Sequence, residues 1–303
     1  MPSSRRALTP LERRIDAWAH ARLARLSDAS GPRRAAIEFV VFVLKQAWAC
    51  VFGALMLAAL VAARLWYPDD AAIARSDALV IAAVGIQAAM LLFRLESLRE
   101  AGAILLFHVV GTAMEVFKTD VGSWAYEGDG LLRIGGVPLY TGFMYAAVGS
   151  YMMRVFRLFE LRFERYPPLG ATVALAAAVY VNFFSHHFLP DARWILVAAV
   201  VLLYARCTMS FRNHADRAVR RMPILVAFTG VAFFLWIAEN IGTAAGAWIY
   251  PSQEDGWHPV SLSKLVSWFL LMMISVVLVT VVSRPEPPSS SDDAIGAGGA
   301  RRG

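Results

Sequence analysis

Cysteine is close to absent from this chain of 303 residues: the two present, Cys50 and Cys207, lie in or beside apolar segments and form no CxxC spacing. Neither a disulfide framework nor a thiolate metal site is indicated. Charge is scarce as well, with 17% of residues Asp, Glu, Lys or Arg against 58% hydrophobic, at a mean hydropathy of +0.53. Soluble domains carry about 25% charged and about 45–50% apolar residues, so this balance points to lipid as the solvent for much of the chain. No Walker loop, Rossmann glycine fingerprint, nucleophile elbow or HExxH helix is present. Signatures for nucleotide binding, serine hydrolysis and zinc proteolysis are therefore missing. A signal-peptide layout is missing too, because the first apolar run starts only near Ile37, behind an Arg-rich lead. The N-terminus is expected to be retained.

What the sequence does have is apolar runs near the length that crosses a bilayer, about 20 residues. They place helices near 40–63, 77–93, 101–117, 138–156, 169–188, 192–206, 223–245 and 261–283. The expected fold class is all-α, a polytopic membrane helix bundle of about eight transmembrane helices. With the N-terminus inside, cytoplasmic segments hold 22 Lys and Arg and outer segments hold five, the asymmetry that orients membrane proteins. Both termini are then cytoplasmic. Lys45 and Lys264 fall near helix ends, where snorkelling of a long side chain is the expectation. Pro138 and Pro223 stand where two helices should begin, a place that needs no backbone N–H.

The organisation expected is a basic segment over 1–36, a transmembrane domain over 37–284 and a disordered tail over 285–303, rich in Pro, Ser and Gly. In the lead, Leu11, Ile15, Trp18 and Leu26 recur at helical spacing among arginines. This reads as an amphipathic helix on an anionic membrane surface.

Within the transmembrane domain one pattern occurs twice. "EVFKTDVGSWAY" at 115–126 and "ENIGTAAGAWIY" at 239–250 share Glu115 with Glu239, Thr119 with Thr243, Gly122 with Gly246, Trp124 with Trp248 and Tyr126 with Tyr250. Past a one-residue deletion the match continues, with Val137, Leu139 and Tyr145 facing Val260, Leu262 and Trp268. The offset of 124 residues spans four helices, an even number. Two parallel repeats are expected, about 37–156 and 161–283. On a helix, positions i, i+4 and i+7 share a face, so Glu, Thr and Gly make a polar and small stripe suited to another helix. Thr can hydrogen-bond the carboxyl, and Gly allows close approach or ends the helix. At about 1.5 Å per residue, Glu115 lies roughly 21 Å and Glu239 roughly 24 Å along their helices, in the outer third of the bilayer core. A charged carboxylate there costs about 3 kcal/mol or more, so each is expected to be protonated, paired or in a wet pocket. The Trp and Tyr of each copy are expected at the membrane interface as part of an aromatic belt.

Other polar residues converge on that level. "NFFSHHFLPDARW" brings Asn182, His186, His187 and Asp191 to the end of the fifth helix. They include borderline metal ligands, but adjacent histidines diverge by about 100° on a helix, and no HxxxH occurs. Hydrogen bonding at a wet helix end is expected, and no metal site is assigned. His108, seven residues before Glu115, is expected to be a packing residue.

The segments "EVFKTDVGSWAY", "IGGVPLYTGFMYAAVGSYM", "NFFSHHFLPDARW", "RRMPILVAF" and "WIAENIGTAAGAWIYPSQEDGW" resemble a bacterial membrane family catalogued as domain of unknown function 817, over about residues 37–284. The resemblance implies a multi-pass protein of the bacterial cytoplasmic membrane and brings no activity or catalytic residues with it. In layout the chain is also similar to membrane carotenoid hydratase and cyclase proteins: Glu115, Gly122, Trp124, Tyr126, Val137 and Pro138 fit their outline, whereas the second copy has no matching proline. That is analogy of layout and does not fix function.

Three functions compete. In the first, an outer-leaflet pocket uses Glu115 and Glu239 in acid–base chemistry on an apolar lipid or isoprenoid. Thr119, Trp124, Tyr126, His186, His187, Thr243, Trp248 and Tyr250 would bind the substrate, the aromatic faces steadying a developing cation. In the second, the same acids couple protons or cations to transport of a small solute, although such sites usually lie at the midplane. In the third, the protein has a structural or assembly role without turnover. The expected partners are the lipid bilayer and a lipid or isoprenoid ligand, with no nucleic acid; no cofactor is named by the sequence.

Overall fold

A computed structural model describes residues 8–24, 32–213 and 219–282. It is mostly helical, with a helix at each of the eight apolar runs. The first run is not one helix. It divides into α2 (Pro32–Ala49) and α3 (Val51–Trp66), bent by 63° about Cys50. The bend separates a half that carries Lys45 and Gln46 from a half with no polar side chain before Arg64. The two halves therefore suit different surroundings.

Then follow α4 (Arg75–Leu92), α5 (Leu98–Asp120), a hairpin of β1 (Arg133–Ile134) and β2 (Val137–Pro138), and α6 (Tyr140–Leu158). After β3 (Arg162–Glu164) come α7 (Leu169–Ser185), α8 (Arg193–Tyr204), β4 (Thr208–Phe211), β5 (Arg220–Pro223), α9 (Ile224–Ala244) and α10 (Ser263–Val282). The strands β3, β4 and β5 form an antiparallel sheet in that order. Pro223 directly precedes α9, as expected, whereas Pro138 closes β2 and α6 begins two residues later.

Four helices, α4, α5, α9 and α10, are long and apolar enough to cross a membrane, and the bent α2–α3 pair makes a fifth if it is one span. The helices α7 and α8 are apolar but only 17 and 12 residues long. The core joins α5 to α10 around Phe156, Tyr204, Phe228, Leu270 and Met273. We call the end where α5 and α9 finish the upper end, and the end where they start the lower.

The lower end is held by buried charge. The helix α1 (Pro10–Ala24) lies there, but not only as an amphipathic surface helix. Leu11 and Trp18 are exposed, as a membrane-surface face requires, while Glu12 and Ala19 are buried on the adjoining face, about 100° round the helix. Glu12 accepts from Arg157 Nη2 at 2.6 Å, Arg157 Nε at 3.0 Å and Trp48 Nε1 at 3.2 Å, and Arg157 also pairs with Glu100. Glu100 closes the capping box of Ser97 at the start of α5. Nearby, Arg154 pairs with Glu96 at 2.9 Å, and Glu96 also accepts from Ser150 and Gln87. Lys45 does not snorkel: it is buried, 2.7 Å from Asp16 Oδ1 and 3.3 Å from the Leu158 carbonyl. Arg154 and Arg157 are thus buried on α6. A charge away from water needs a partner of opposite sign, and here each has one. Leu26 and the tail at 285–303 lie outside the described residues.

Arg157→Met would leave Glu12 and Glu100 buried without their cation, which costs about 3–5 kcal/mol. We expect a large drop in thermal midpoint in detergent and ready proteolysis before α2; an unchanged midpoint would contradict the network. The same clasp gives a pH dependence. Burial alone would raise the Glu12 pKa, but the hydrogen bond and charge of Arg157 outweigh it and hold the carboxyl below its usual value of 4.5. Its contribution is therefore complete above about pH 4.5 and is lost as pH falls through the lower folded value. Proteolysis of the α1 connection should rise over that acid range in the wild type, and much less in Glu12→Gln.

Candidate functional site

The upper end is built from the repeated pattern. α5 and α9 both stop two residues before a glycine in the left-handed region, Gly122 at φ +72° and Gly246 at φ +63°. An L side chain is disfavoured there, so the two glycines end the helices and turn the chain back across their tops. The chain segments that follow meet each other: Ala125 and Ile249 form an antiparallel bridge, each N–H donating to the other's carbonyl at 3.0 Å. The middle residues of the two Trp-x-Tyr stretches are thus joined by backbone hydrogen bonds.

That turn points aromatic donors down at the acids. Trp124 Nε1 donates to Glu115 Oε2 at 2.7 Å, Tyr126 donates to the same oxygen, and Tyr145 of α6 donates to Oε1 at 2.6 Å. Tyr145 is brought there because its ring packs on Gly111 of α5, where a Cβ would collide with it. Glu239 is served by Tyr250 on Oε1 and by Trp268 of α10 on Oε2. Both carboxyls are buried, within electrostatic reach of one another, and line one cavity. Burial, and then the adjacent carboxylates, push the Tyr126 and Tyr250 hydroxyls well above their usual range. Both phenols therefore stay protonated and able to donate.

Each carboxyl has one oxygen facing an indole N–H, which can only donate, and one facing a tyrosine hydroxyl alone, which can donate or accept. A proton can sit on the second oxygen without breaking the first contact. The site can accommodate either ionisation state.

The cavity has a volume of about 1050 Å³. Its charged lining gathers at the upper end, at Glu115, Lys118, Arg193, Glu239 and Lys264. Below, apart from Gln46 and the Tyr151 hydroxyl that donates to it, it is walled by apolar side chains of α2, α3, α6, α9 and α10 as far as Phe159 and Phe211.

Trp124, Tyr126, Trp248, Tyr250 and His186 line this cavity; Thr119, Thr243 and His187 do not. The aromatic-belt expectation is corrected for Trp124, Tyr126 and Tyr250, which turn inward because a buried carboxyl needs donors. Trp248 packs against Gly242. Neither threonine bonds its carboxyl: the Thr119 hydroxyl has no partner among the described residues, and Thr243 donates to its own helix and accepts from Trp257 Nε1 at 3.1 Å. His186 bonds the Asn182 carbonyl through Nδ1 at 2.9 Å. His187 Nε2 lies 3.0 Å from Lys118 Nζ, which donates to it, and 3.1 Å from Ser123 Oγ. α7 ends at Ser185, so His187 and Asp191 share no helix face, and Asn182 instead holds Asp191 and the Ala192 N–H. No group of three or more metal-ligating side chains occurs among the described residues. His108 packs edge-on to Phe143, 4.7 Å between ring centres.

Sequence reasoning did not assign Tyr145, Trp268, Lys118 or Lys264 to the site. The signal for the first two was present, since they face each other in the alignment of the two copies.

A family profile described as a protein of unknown function, DUF817, matches residues 38–276. The chain belongs to this family. A relative, the uncharacterised protein YoaT of Bacillus subtilis (strain 168), is 40% identical over 260 residues, covering 84% of this chain and 96% of its own. A solved structure of a cross-linked MvINS trimer aligns at a TM-score of 0.43 and 16% identity, over 63% of this chain and 98% of its own, and that likeness carries no argument. The DUF817 match covers both Trp-x-Tyr stretches, both glutamates, Tyr145 and Trp268.

Proposed function

We propose that this protein performs acid–base chemistry on a lipid or isoprenoid in a pocket at the outer leaflet, with Glu115 and Glu239 as the reacting acids. The observation that carries the reading is the pair of carboxyls, each held by an indole and a phenol at the polar end of a cavity of about 1050 Å³ that is otherwise apolar. Neutral donors leave the proton free to move, where an arginine partner would fix the charge. A general acid in such a site delivers a proton to a double bond or leaving group. Coupled transport fits less well, because the charged side chains that line the cavity lie at one end only. A purely structural role gives no reason for a cavity of this size with two acids in its wall.

The threading that goes with this reading is eight crossings, with α2–α3 as the first, both termini in the cytoplasm of a bacterial cell and the upper end facing outward. Its units are 1–36, 37–284 and 285–303, with parallel repeats over about 37–156 and 161–283. In favour stand the Lys and Arg distribution and the mutual Ala125–Ile249 bridge, the pairing that a two-fold axis along the membrane normal produces. In a chain freed of Cys50 and Cys207, an impermeant maleimide added to intact cells should label Asp129→Cys and Asp255→Cys but not Glu160→Cys. The reverse pattern would sink the threading.

For the chemistry, lipid extracts of a deletion strain carrying the wild type or the Glu115→Gln, Glu239→Gln double variant should differ. Loss of a general acid lowers a rate by about 100-fold or more. The wild type should restore the parental lipid profile and the variant should not, at equal levels in the membrane. Full restoration by the variant would refute the role of the acids.

A further inference from the structure

Cations crowd the mouth of the same cavity. Lys118, Arg193 and Lys264 come from α5, α8 and α10, and all three line it, with His186 beside them. Lys118 is within electrostatic reach of both Lys264 and Arg193. Gathering like charges at the edge of an apolar chamber is unfavourable unless something of opposite sign belongs there.

The acids nearby leave donors over. Glu115 and Glu239 are within electrostatic reach of Lys264, but their oxygens are taken up by aromatic donors and bond no cation. Asp191 is taken by Asn182 Nδ2 at 3.1 Å and by Arg193, whose backbone N–H lies at 2.9 Å and guanidinium at 3.3 Å. Lys118 is buried and, among the described residues, reaches His187 and the face of Phe183. The clearest case is Lys264. Its ammonium rests over the rings of Tyr250, at 4.1 Å, and Trp124, at 5.2 Å, and has no hydrogen-bond or salt-bridge partner among the described residues. An ammonium carries three donors, so it can bind an anion without releasing a protein partner.

We infer that this mouth is a binding site for a phosphate headgroup, so that the ligand is a long-chain lipid phosphate with its oxygens on Lys118, Lys264 and Arg193 and its apolar chain in the cavity. The inference rests on the reading of the cavity as a lipid pocket, but not on the acid chemistry of Glu115 and Glu239. A phosphate there would also set which part of the lipid lies beside the carboxyls: the bonds nearest the headgroup.

The test uses the purified full-length chain in detergent and four probes: a polyprenyl phosphate, the corresponding polyprenol, a phosphatidylglycerol and the corresponding diacylglycerol. Affinities are measured for the wild type, for Lys118→Gln with Lys264→Gln, and for Glu115→Gln with Glu239→Gln. The wild type should bind at least one phosphate about tenfold or more tighter than its neutral counterpart, the scale of one charge-assisted hydrogen bond. Whichever phosphate shows the gap names the source. The lysine variant should lose the gap and keep its binding of the neutral lipid, which also shows that it is folded. The glutamine variant should keep the gap even if turnover is gone, so failure of the headgroup site and failure of the acid chemistry are read separately. Equal binding of phosphate and neutral lipid by the wild type would overturn the proposal, as would a gap that survives loss of both lysines. Should the double lysine variant fail to fold, Lys264→Gln alone decides, because its ammonium touches only ring faces: a reduced gap supports the site and an unchanged gap rejects it.

Discussion

A carboxyl group removed from water must be given hydrogen-bond donors by the protein itself, and much of this structure follows from where those donors come from. Helices long and apolar enough to cross a membrane have no spare polar groups along their flanks. The donors for Glu115 and Glu239 are therefore drawn largely from the segments just past the helix ends, folded back by Gly122 and Gly246, and from the facing helices α6 and α10. The turn, the Trp-x-Tyr spacing and the close packing of Tyr145 on Gly111 all serve that supply. The Ala125–Ile249 bridge then fixes the two returning segments against each other, so the two acids come to one cavity.

How much of this was legible in the sequence depends on the range of the interaction. The pairing of Glu115 with Glu239 could be read, because the spacing from Glu to Gly to Tyr is local and occurs twice. The helix-ending role of the two glycines could be read for the same reason. The inward turn of Trp124 and Tyr126 could not, since an aromatic residue past a helix end is compatible with either a belt or a carboxyl, and only the path after Gly122 decides. Lys45 was misread by the same logic, and the buried places of Arg154 and Arg157 were equally out of its reach. Near a helix end a cation usually reaches water, and nothing in the local sequence reveals that Asp16, Glu96, Glu12 and Glu100 arrive from other segments to hold these three inside. Long-range ion pairs leave no periodic trace. The break at Cys50 is of this kind too, because α2 is tied through Lys45 to α1, a partner that hydropathy does not register.

The two ends of α5 make the contrast that argues for a functional upper end. Glu100 and Glu115 lie on one helix, about four turns apart, and both are buried. Glu100 meets the guanidinium of Arg157, a cation that does not give up its proton. That is the arrangement for a fixed fastening, and it clasps α1, α5 and α6 together. Glu115 meets two phenols and an indole, which stabilise a carboxylate through hydrogen bonds yet permit a proton to return to the oxygen facing Tyr145. Had holding two segments together been the whole requirement, an arginine opposite Glu115 would have met it as one does at Glu100. Neutral donors, a second acid served in the same manner and an apolar chamber beside both make a different device. There, the protonation state of the carboxyl is left to whatever occupies the cavity.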